Sequence, residues 1–117
     1  MAEQRQGERA QWALILGASS GFGVATAVEL ARSGFHIVGV HLDRSTTLPL
    51  AEQVKEQVRA CGREALFFNV NAADAQRRAE VLDAVASRFR EEPGVVSVVL
   101  HSLAFGTLLP FIAPDPR

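Results

Sequence analysis

The chain has 117 residues, 48% of them hydrophobic and 21% charged, with a formal net charge of −1. This charge balance does not suggest a basic surface that binds nucleic acid, and no apolar run reaches membrane-spanning length. We therefore expect the protein to bind neither nucleic acid nor a membrane. Cys61 is the single cysteine and permits no intrachain disulfide. The N-terminus has no apolar signal-peptide core, so the expected location is the cytoplasm.

Hydrophobic periodicity predicts four strands alternating with three helices, after a flexible tail over residues 1–11. The predicted strands cover residues 12–16, 35–42, 64–68 and 95–100. The first helix is predicted over residues 22–32 and the second over 49–60, with Gly34 and Gly62 just after them. A third helix is expected to follow an N-cap at Asn71 and to end before Pro93. The predicted domain covers residues 12–106, and residues 107–117 form an irregular tail.

This alternation predicts an α/β fold, a Rossmann-like doubly wound parallel sheet with strand order 3-2-1-4. In such sheets a ligand binds at the carboxyl ends of the strands, where the strand order reverses. The segments that follow the four strands are therefore the candidates for a ligand site. No metal site is predicted in any of them.

A glycine-rich turn follows the first strand, with the sequence Gly17-Ala18-Ser19-Ser20-Gly21-Phe22-Gly23. Gly17 allows the chain to turn, Gly21 allows a ligand to approach the backbone, and Gly23 allows the helix to pack near the strand. The unpaired N–H groups and the dipole of the helix start favour an anion such as a pyrophosphate. The alternative is a structural connection that binds no ligand.

The G-x-x-x-G-x-G spacing of this turn, between an apolar strand and an amphipathic helix, resembles the glycine motif of the short-chain dehydrogenase/reductase family. The resemblance covers Trp12 to Gly106, which is the first half of a typical member. It implies a truncated Rossmann fold that binds NAD or NADP. The turn residues expected to contact this cofactor are Gly17, Ser19, Ser20, Gly21, Phe22 and Gly23.

The segment after the second strand, Asp43-Arg44-Ser45, is expected to meet the adenosine ribose. A carboxylate at this position selects NAD, whereas an arginine pairs with the 2′-phosphate of NADP. In members of this family, the acidic residue that selects the cofactor usually falls about where His41 stands, counting from Gly17. This register favours Arg44 and Ser45 over Asp43, so the sequence favours NADP, with NAD and a solvated loop left open.

Asn69 and Val70 follow the third strand. Similar proteins carry an aspartate before the valine, which accepts a hydrogen bond from the adenine amino group while the valine N–H meets the ring. The amide oxygen of Asn69 can accept the same bond. Both residues are therefore expected in the cofactor site.

The turn after the fourth strand reads His101-Ser102-Leu103-Ala104, where most relatives have Asn-Asn-Ala-Gly. It resembles the enoyl-acyl-carrier-protein reductase branch, which places this turn beside the nicotinamide ribose. The resemblance therefore makes His101, Ser102 and Ala104 expected cofactor contacts, and a structural role is expected for the His101 ring.

Family chemistry needs a Tyr-x-x-x-Lys pair, but the sequence has no tyrosine, and its only lysine, Lys55, lies within the second predicted helix. No catalytic residue is assigned. We expect the NAD(P)-binding portion of an oxidoreductase, inactive alone. The alternatives are a non-catalytic NAD(P)-binding module and a structural remnant that needs a partner chain. The apolar fourth strand predicts a homo-oligomer or association through its edge.

Overall fold

A computed structural model describes residues 9–19 and 21–103. The strands are β1 (Ala10–Leu16), β2 (His36–His41), β3 (Ala65–Asn69) and β4 (Gly94–His101). The helices are α1 (Gly21–Arg32), α2 (Leu48–Ala60) and α3 (Ala75–Glu91). All strand pairs are parallel, in the order β3-β2-β1-β4. The predicted doubly wound sheet is confirmed.

Strand β1 begins two residues earlier than predicted, inside the expected N-terminal tail. Ala10 pairs with Gly94 of β4, and its N–H donates to the Pro93 carbonyl at 3.2 Å. The neighbouring strand therefore extends β1 beyond its apolar core. Residues 1–8 of the predicted tail and all of residues 104–117 lie outside the described residues.

Glycines end the first two helices as predicted. Gly34 has φ +106°, its N–H donates to the Ala31 carbonyl at 3.2 Å, and the Phe35 N–H donates to the Leu30 carbonyl at 3.0 Å. Gly62, with φ +77°, forms the corresponding pair of bonds after α2. Both ends are Schellman motifs, which satisfy the last helix carbonyls.

The predicted start of α3 is wrong, because Asp74 and not Asn71 is the N-cap. The Asp74 carboxylate accepts from the N–H groups of Gln76 at 2.9 Å and Arg77 at 3.3 Å. The Asn71 side chain accepts instead from the Ala73 N–H at 2.9 Å. This local turn occupies Asn71 before the helix begins.

Helices α1 and α2 close one face of the sheet around a core of small and branched side chains. The buried members of this core are Ala13, Ile15, Ala18, Ala27, Ala31, Ile37, Val54, Val58 and Ala65. Burial of Gly23, Ala27 and Ala31 on one side of α1 brings the helix backbone close to the sheet. This close packing fixes the α1 N-terminus above the end of β1.

Helix α3 lies on the opposite face. Its Phe89 ring packs against the Trp12 indole with ring centroids 5.6 Å apart, and the His36 ring also packs against this indole, with centroids 4.9 Å apart. Trp12 is 2% exposed, so this aromatic cluster is buried at the end of the sheet away from the strand carboxyl ends. The His36 Nδ1 atom accepts from the Glu64 N–H at 2.9 Å, a structural role.

The near-continuous apolar sequence of β4 is typical of a strand buried on both faces, but in the structure β4 is only partly buried. Within the described residues its one neighbour is β1, and Val99 is 63% exposed. The sequence is that of a central strand, but the described helices leave much of this strand uncovered. An apolar edge of this kind can pair with another chain.

The contact between α1 and the glycine turn generates a stability prediction. A Cβ at position 23 would overlap the Gly17 carbonyl, so Gly23→Ala should lower the free energy of unfolding by about 1–3 kcal/mol despite the better helix propensity of alanine. Denaturant unfolding measures this loss. Gly62→Ala should cost about 1 kcal/mol, because among the described residues no atom beyond the chain neighbours lies within 4 Å of the new Cβ and the φ of +77° is the main obstacle. If the Gly23→Ala variant were as stable as the parent, the close contact between position 23 and the Gly17 carbonyl would be contradicted.

Candidate functional site

The glycine turn leaves β1 at the edge of the sheet where the four strands end, here called the carboxyl edge. The N–H groups of Gly17 and Ala18 both donate to the Val40 carbonyl, at 2.8 and 3.1 Å. Gly17 has φ +93°, and a Cβ there would overlap the Ser102 carbonyl. The turn is therefore held between the ends of β2 and β4, and only glycine fits at its first position.

The N-terminus of α1 opens at the carboxyl edge. Gly21 has φ +58°, with no described atom within 4 Å of a Cβ built there. Phe22 is 83% exposed, and the first turn of the helix has no acidic residue. The first N–H groups of a helix have no intrahelical acceptor, so this end can bind an anion. Ser20 lies outside the described residues.

The loop after β2 carries a buried histidine–carboxylate pair. His41 Nδ1 lies 2.8 Å from Asp43 Oδ2, and the two side chains are 4% and 9% exposed. Burial raises the pKa of the Asp43 carboxyl, but hydrogen bonds from Ser19, Thr47 and His41 outweigh it and hold the pKa below its usual value. Asp43 therefore stays ionised at neutral pH, beside the glycine turn.

The side-chain amide of Asn69 bonds to both polar groups of the Asp43 backbone. Its Oδ1 accepts from the Asp43 N–H at 2.8 Å, and its Nδ2 donates to the Asp43 carbonyl at 3.0 Å. The N–H of Val70, which the family resemblance assigns to the adenine ring, donates to the His41 carbonyl at 2.9 Å. We call His41, Asp43 and Asn69 the loop clamp, because they join the ends of β2 and β3.

The turn after β4 contacts the glycine turn directly. The Ser102 N–H donates to the Leu16 carbonyl at 2.8 Å, and the Ser102 carbonyl lies against Gly17. His101 is exposed. Ala104 lies outside the described residues.

The carboxyl edge therefore brings together most of the described residues that the sequence predicted for the site. Ser102 touches the glycine turn, Ser19 helps to lower the pKa of Asp43, and Asn69 holds the Asp43 peptide. Arg44 and Ser45 are exposed just beyond this cluster. The Arg44 carbonyl accepts from the N–H groups of Thr47 and Leu48, which ties the loop to the start of α2.

Sequence reasoning missed the roles of His41 and Thr47. His41 served only as a reference position, and Thr47 was not assigned to the site. The spacing His41-x-Asp43 was the available signal, since residues two apart in extended chain point to the same side. Thr47 is the N-cap residue of α2, but its side chain makes no capping hydrogen bond; its hydroxyl lies 3.4 Å from the Arg44 carbonyl oxygen and helps to lower the pKa of Asp43.

A concave region of about 470 Å³ lies between α3 and the sheet. Its walls are almost entirely apolar, with side chains from β1, β2, β4 and α3, and it reaches the carboxyl edge at Leu16, Val70 and His101. Neither the glycine turn nor the Asp43 loop lines it. This region is part of the incompletely covered sheet face.

Over residues 9–19 and 21–103, no cluster of three or more histidine, cysteine, aspartate or glutamate side chains could hold a metal ion. In the same ranges no helix combines the length and apolar character needed to cross a membrane.

Comparison with known proteins gives the family. The family model described as short chain dehydrogenase matches residues 11–102. Because this match covers most of the chain, the protein belongs to the short-chain dehydrogenase/reductase family, whose members are oxidoreductases.

Individual relatives agree with the family match. The chain is 35% identical over 80 residues to a 3-oxoacyl-(acyl-carrier-protein) reductase of Synechocystis, a match that covers 68% of this chain and 31% of the relative. It is 30% identical over 90 residues to the short-chain dehydrogenase/reductase FrzI of Cladobotryum, covering 77% and 32% of the two chains. The chain thus spans about a third of the length of these relatives.

Among solved structures, carveol dehydrogenase from Mycobacterium avium in complex with NAD superimposes with a TM-score of 0.68 at 23% identity. The superposition covers 85% of this chain and 37% of that protein. At this level of identity, the similarity shows that the two proteins share a fold.

The lowered pKa of Asp43 predicts a pH-dependent stability. Since the folded-state pKa lies below the usual value of 3.8, the ionised carboxylate stabilises the fold above that pH, and this contribution is lost as the pH falls through the lowered pKa. Asp43→Asn should therefore reduce the free energy of unfolding near neutral pH, with a deficit that shrinks below pH 3.8. Denaturant unfolding across this range measures it, with Asp83→Asn on α3 as the control. A deficit that does not change with pH would contradict the assignment.

Proposed function

We propose that residues 12–106 form the NAD(P)-binding portion of a short-chain dehydrogenase/reductase-type oxidoreductase. The observation that carries this proposal is the open N-terminus of α1, placed by Gly17 and Gly23 at the same sheet edge as the Asp43-Arg44 loop. A pyrophosphate at the helix N-terminus would accept from its free N–H groups. The adenosine half of the cofactor would then extend towards the ends of β2 and β3.

Arg44 favours NADP over NAD. Its side chain is exposed, whereas the Asp43 carboxylate is 9% exposed and bonded to His41. A guanidinium at the loop surface can pair with a 2′-phosphate, and a carboxylate that already accepts from protein donors has less capacity for ribose hydroxyls. The alternative is NAD, favoured by the position of Asp43 beside Ser19 of the glycine turn.

We further infer that this chain alone does not turn over a substrate. The sequence has no tyrosine, and Lys55 lies on α2, where it pairs with Glu52 at 3.3 Å. Bound nicotinamide would then have no positioned proton donor or acceptor. A non-catalytic NAD(P)-binding module, and a remnant that requires a partner chain, are the other functions consistent with this composition.

A variant of Gly21 tests cofactor binding. Asn tolerates positive φ, so Gly21→Asn should keep the fold while placing a side chain where the pyrophosphate would contact the backbone. We expect calorimetry to detect NADPH binding by the parent and at least about a tenfold weaker affinity in the variant. Gly62→Asn, at a second positive φ away from the carboxyl edge, is the matched control and should bind like the parent. No binding by the parent, or equal affinity in Gly21→Asn, would contradict the proposal.

We also propose that the chain associates with itself through β4. Val99 lies exposed on an apolar edge strand, and a lysine on such an edge disfavours strand pairing. Light scattering at micromolar concentration should show association of the parent, and Val99→Lys should shift the chain towards the monomer. Gln53→Lys adds the same charge to an exposed position of α2 and should leave association unchanged. A monomeric parent would refute this interface.

A further inference from the structure

We propose that Asn69 is a positioning residue for cofactor selection, because its side-chain amide fixes the loop that carries Arg44. This inference rests on the proposed dinucleotide-binding function. It assigns to Asn69 a role different from the adenine contact that the family resemblance implies.

The geometry requires both halves of the amide. Oδ1 accepts from the Asp43 N–H at 2.8 Å, and Nδ2 donates to the Asp43 carbonyl at 3.0 Å. An ionised carboxylate at position 69 could accept the first bond, but it has no proton for the second. It would instead place lone pairs against the carbonyl oxygen and push the loop away from β3.

The remaining contacts of the loop clamp make the Asp43 peptide a fixed point. The Asp43 carboxylate is held by His41 Nδ1 at 2.8 Å, and the His41 carbonyl accepts from the Val70 N–H at 2.9 Å. Asp43 is therefore anchored to the ends of both β2 and β3. Arg44 is the next residue.

Arg44 is held on its other side as well. Its carbonyl accepts from the N–H groups of Thr47 at 3.0 Å and Leu48 at 2.8 Å. The exposed Arg44 side chain thus projects from a backbone tied to β3 through Asn69 and to α2 through its own carbonyl. Loss of the Asn69 bonds would leave the Asp43 peptide held to the strands only indirectly, through the His41 side chain, so Arg44 would project in a wider range of directions.

The two possible roles of Asn69 predict opposite effects of one substitution. If Asn69 acts by accepting from the adenine amino group, Asn69→Asp keeps or improves that acceptor and leaves cofactor affinity unchanged or higher. If Asn69 holds the loop, the same change removes the Nδ2 bond and adds repulsion. The loss then falls on NADP, since Arg44 would contact only the 2′-phosphate.

The experiment measures NADPH and NADH affinities by calorimetry for the parent, Asn69→Asp, Arg44→Ala and the double variant. We expect Asn69→Asp to weaken NADPH about tenfold and NADH less than about threefold. Because the selective effect of Asn69 passes through Arg44, adding Asn69→Asp to Arg44→Ala should weaken NADPH no more than Asn69→Asp weakens NADH, less than about threefold. Asn71→Asp, in which the side-chain acceptor for the Ala73 N–H is kept, is the matched control and should bind both cofactors like the parent.

Circular dichroism and thermal unfolding establish that each variant is folded. If Asn69→Asp does not fold, Asn69→Ser replaces it, since one hydroxyl cannot reproduce both amide bonds and should give the same selective loss. Unchanged or tighter NADPH binding, an equal loss for both cofactors, or additive losses in the double variant would each overturn the role of Asn69. A parent that binds neither cofactor would instead overturn the proposed function itself.

Discussion

The structure depends first on the close approach of helix α1 to the Gly17 carbonyl. Gly23 permits this approach, and any side chain at position 23 would overlap that carbonyl. With α1 seated there, Ala27 and Ala31 pack on the sheet, and the helix start opens at the carboxyl edge. The same turn is held by the Val40 carbonyl on one side and by Ser102 on the other. Packing of the core and exposure of a possible anion site are thus two results of one contact.

The two faces of the sheet differ in how completely they are covered. Helices α1 and α2 enclose one face in a continuous core, whereas α3 leaves an apolar region of about 470 Å³ on the other. The Arg88 guanidinium anchors the end of α3 to Glu64 at the start of β3, with Nε 3.0 Å from Oε2. Hydrogen bonds from Arg88 to Glu64 and Glu92 raise the pKa of this guanidinium. One end of α3 is therefore fixed to the sheet, while apolar surface remains at β4.

The fold was predictable because strand and helix periodicity agreed with the turn residues at almost every boundary. Gly34 and Gly62 end α1 and α2 as their left-handed conformations require, and the strand order followed from the alternating elements. The start of α3 was not predictable in the same way. Asn71 and Asp74 are both good caps, and only the local turn at Asn71 decides between them.

The candidate site was predictable as a set of segments but not as a set of contacts. Parallel topology places the ends of β1, β2, β3 and β4 on one edge, so the segments could be named from the sequence. The loop clamp joins residues up to 28 positions apart, and its hydrogen bonds depend on the β2–β3 register, which pairs His41 with Asn69. Backbone amide hydrogen exchange, measured with and without NADPH, tests directly whether a pyrophosphate binds at the start of α1. We expect NADPH to slow exchange at the first amides of α1, from Gly21 to Val24, and to leave exchange around Val81 on α3 unchanged. Exchange at the start of α1 that NADPH does not alter would contradict a pyrophosphate site there.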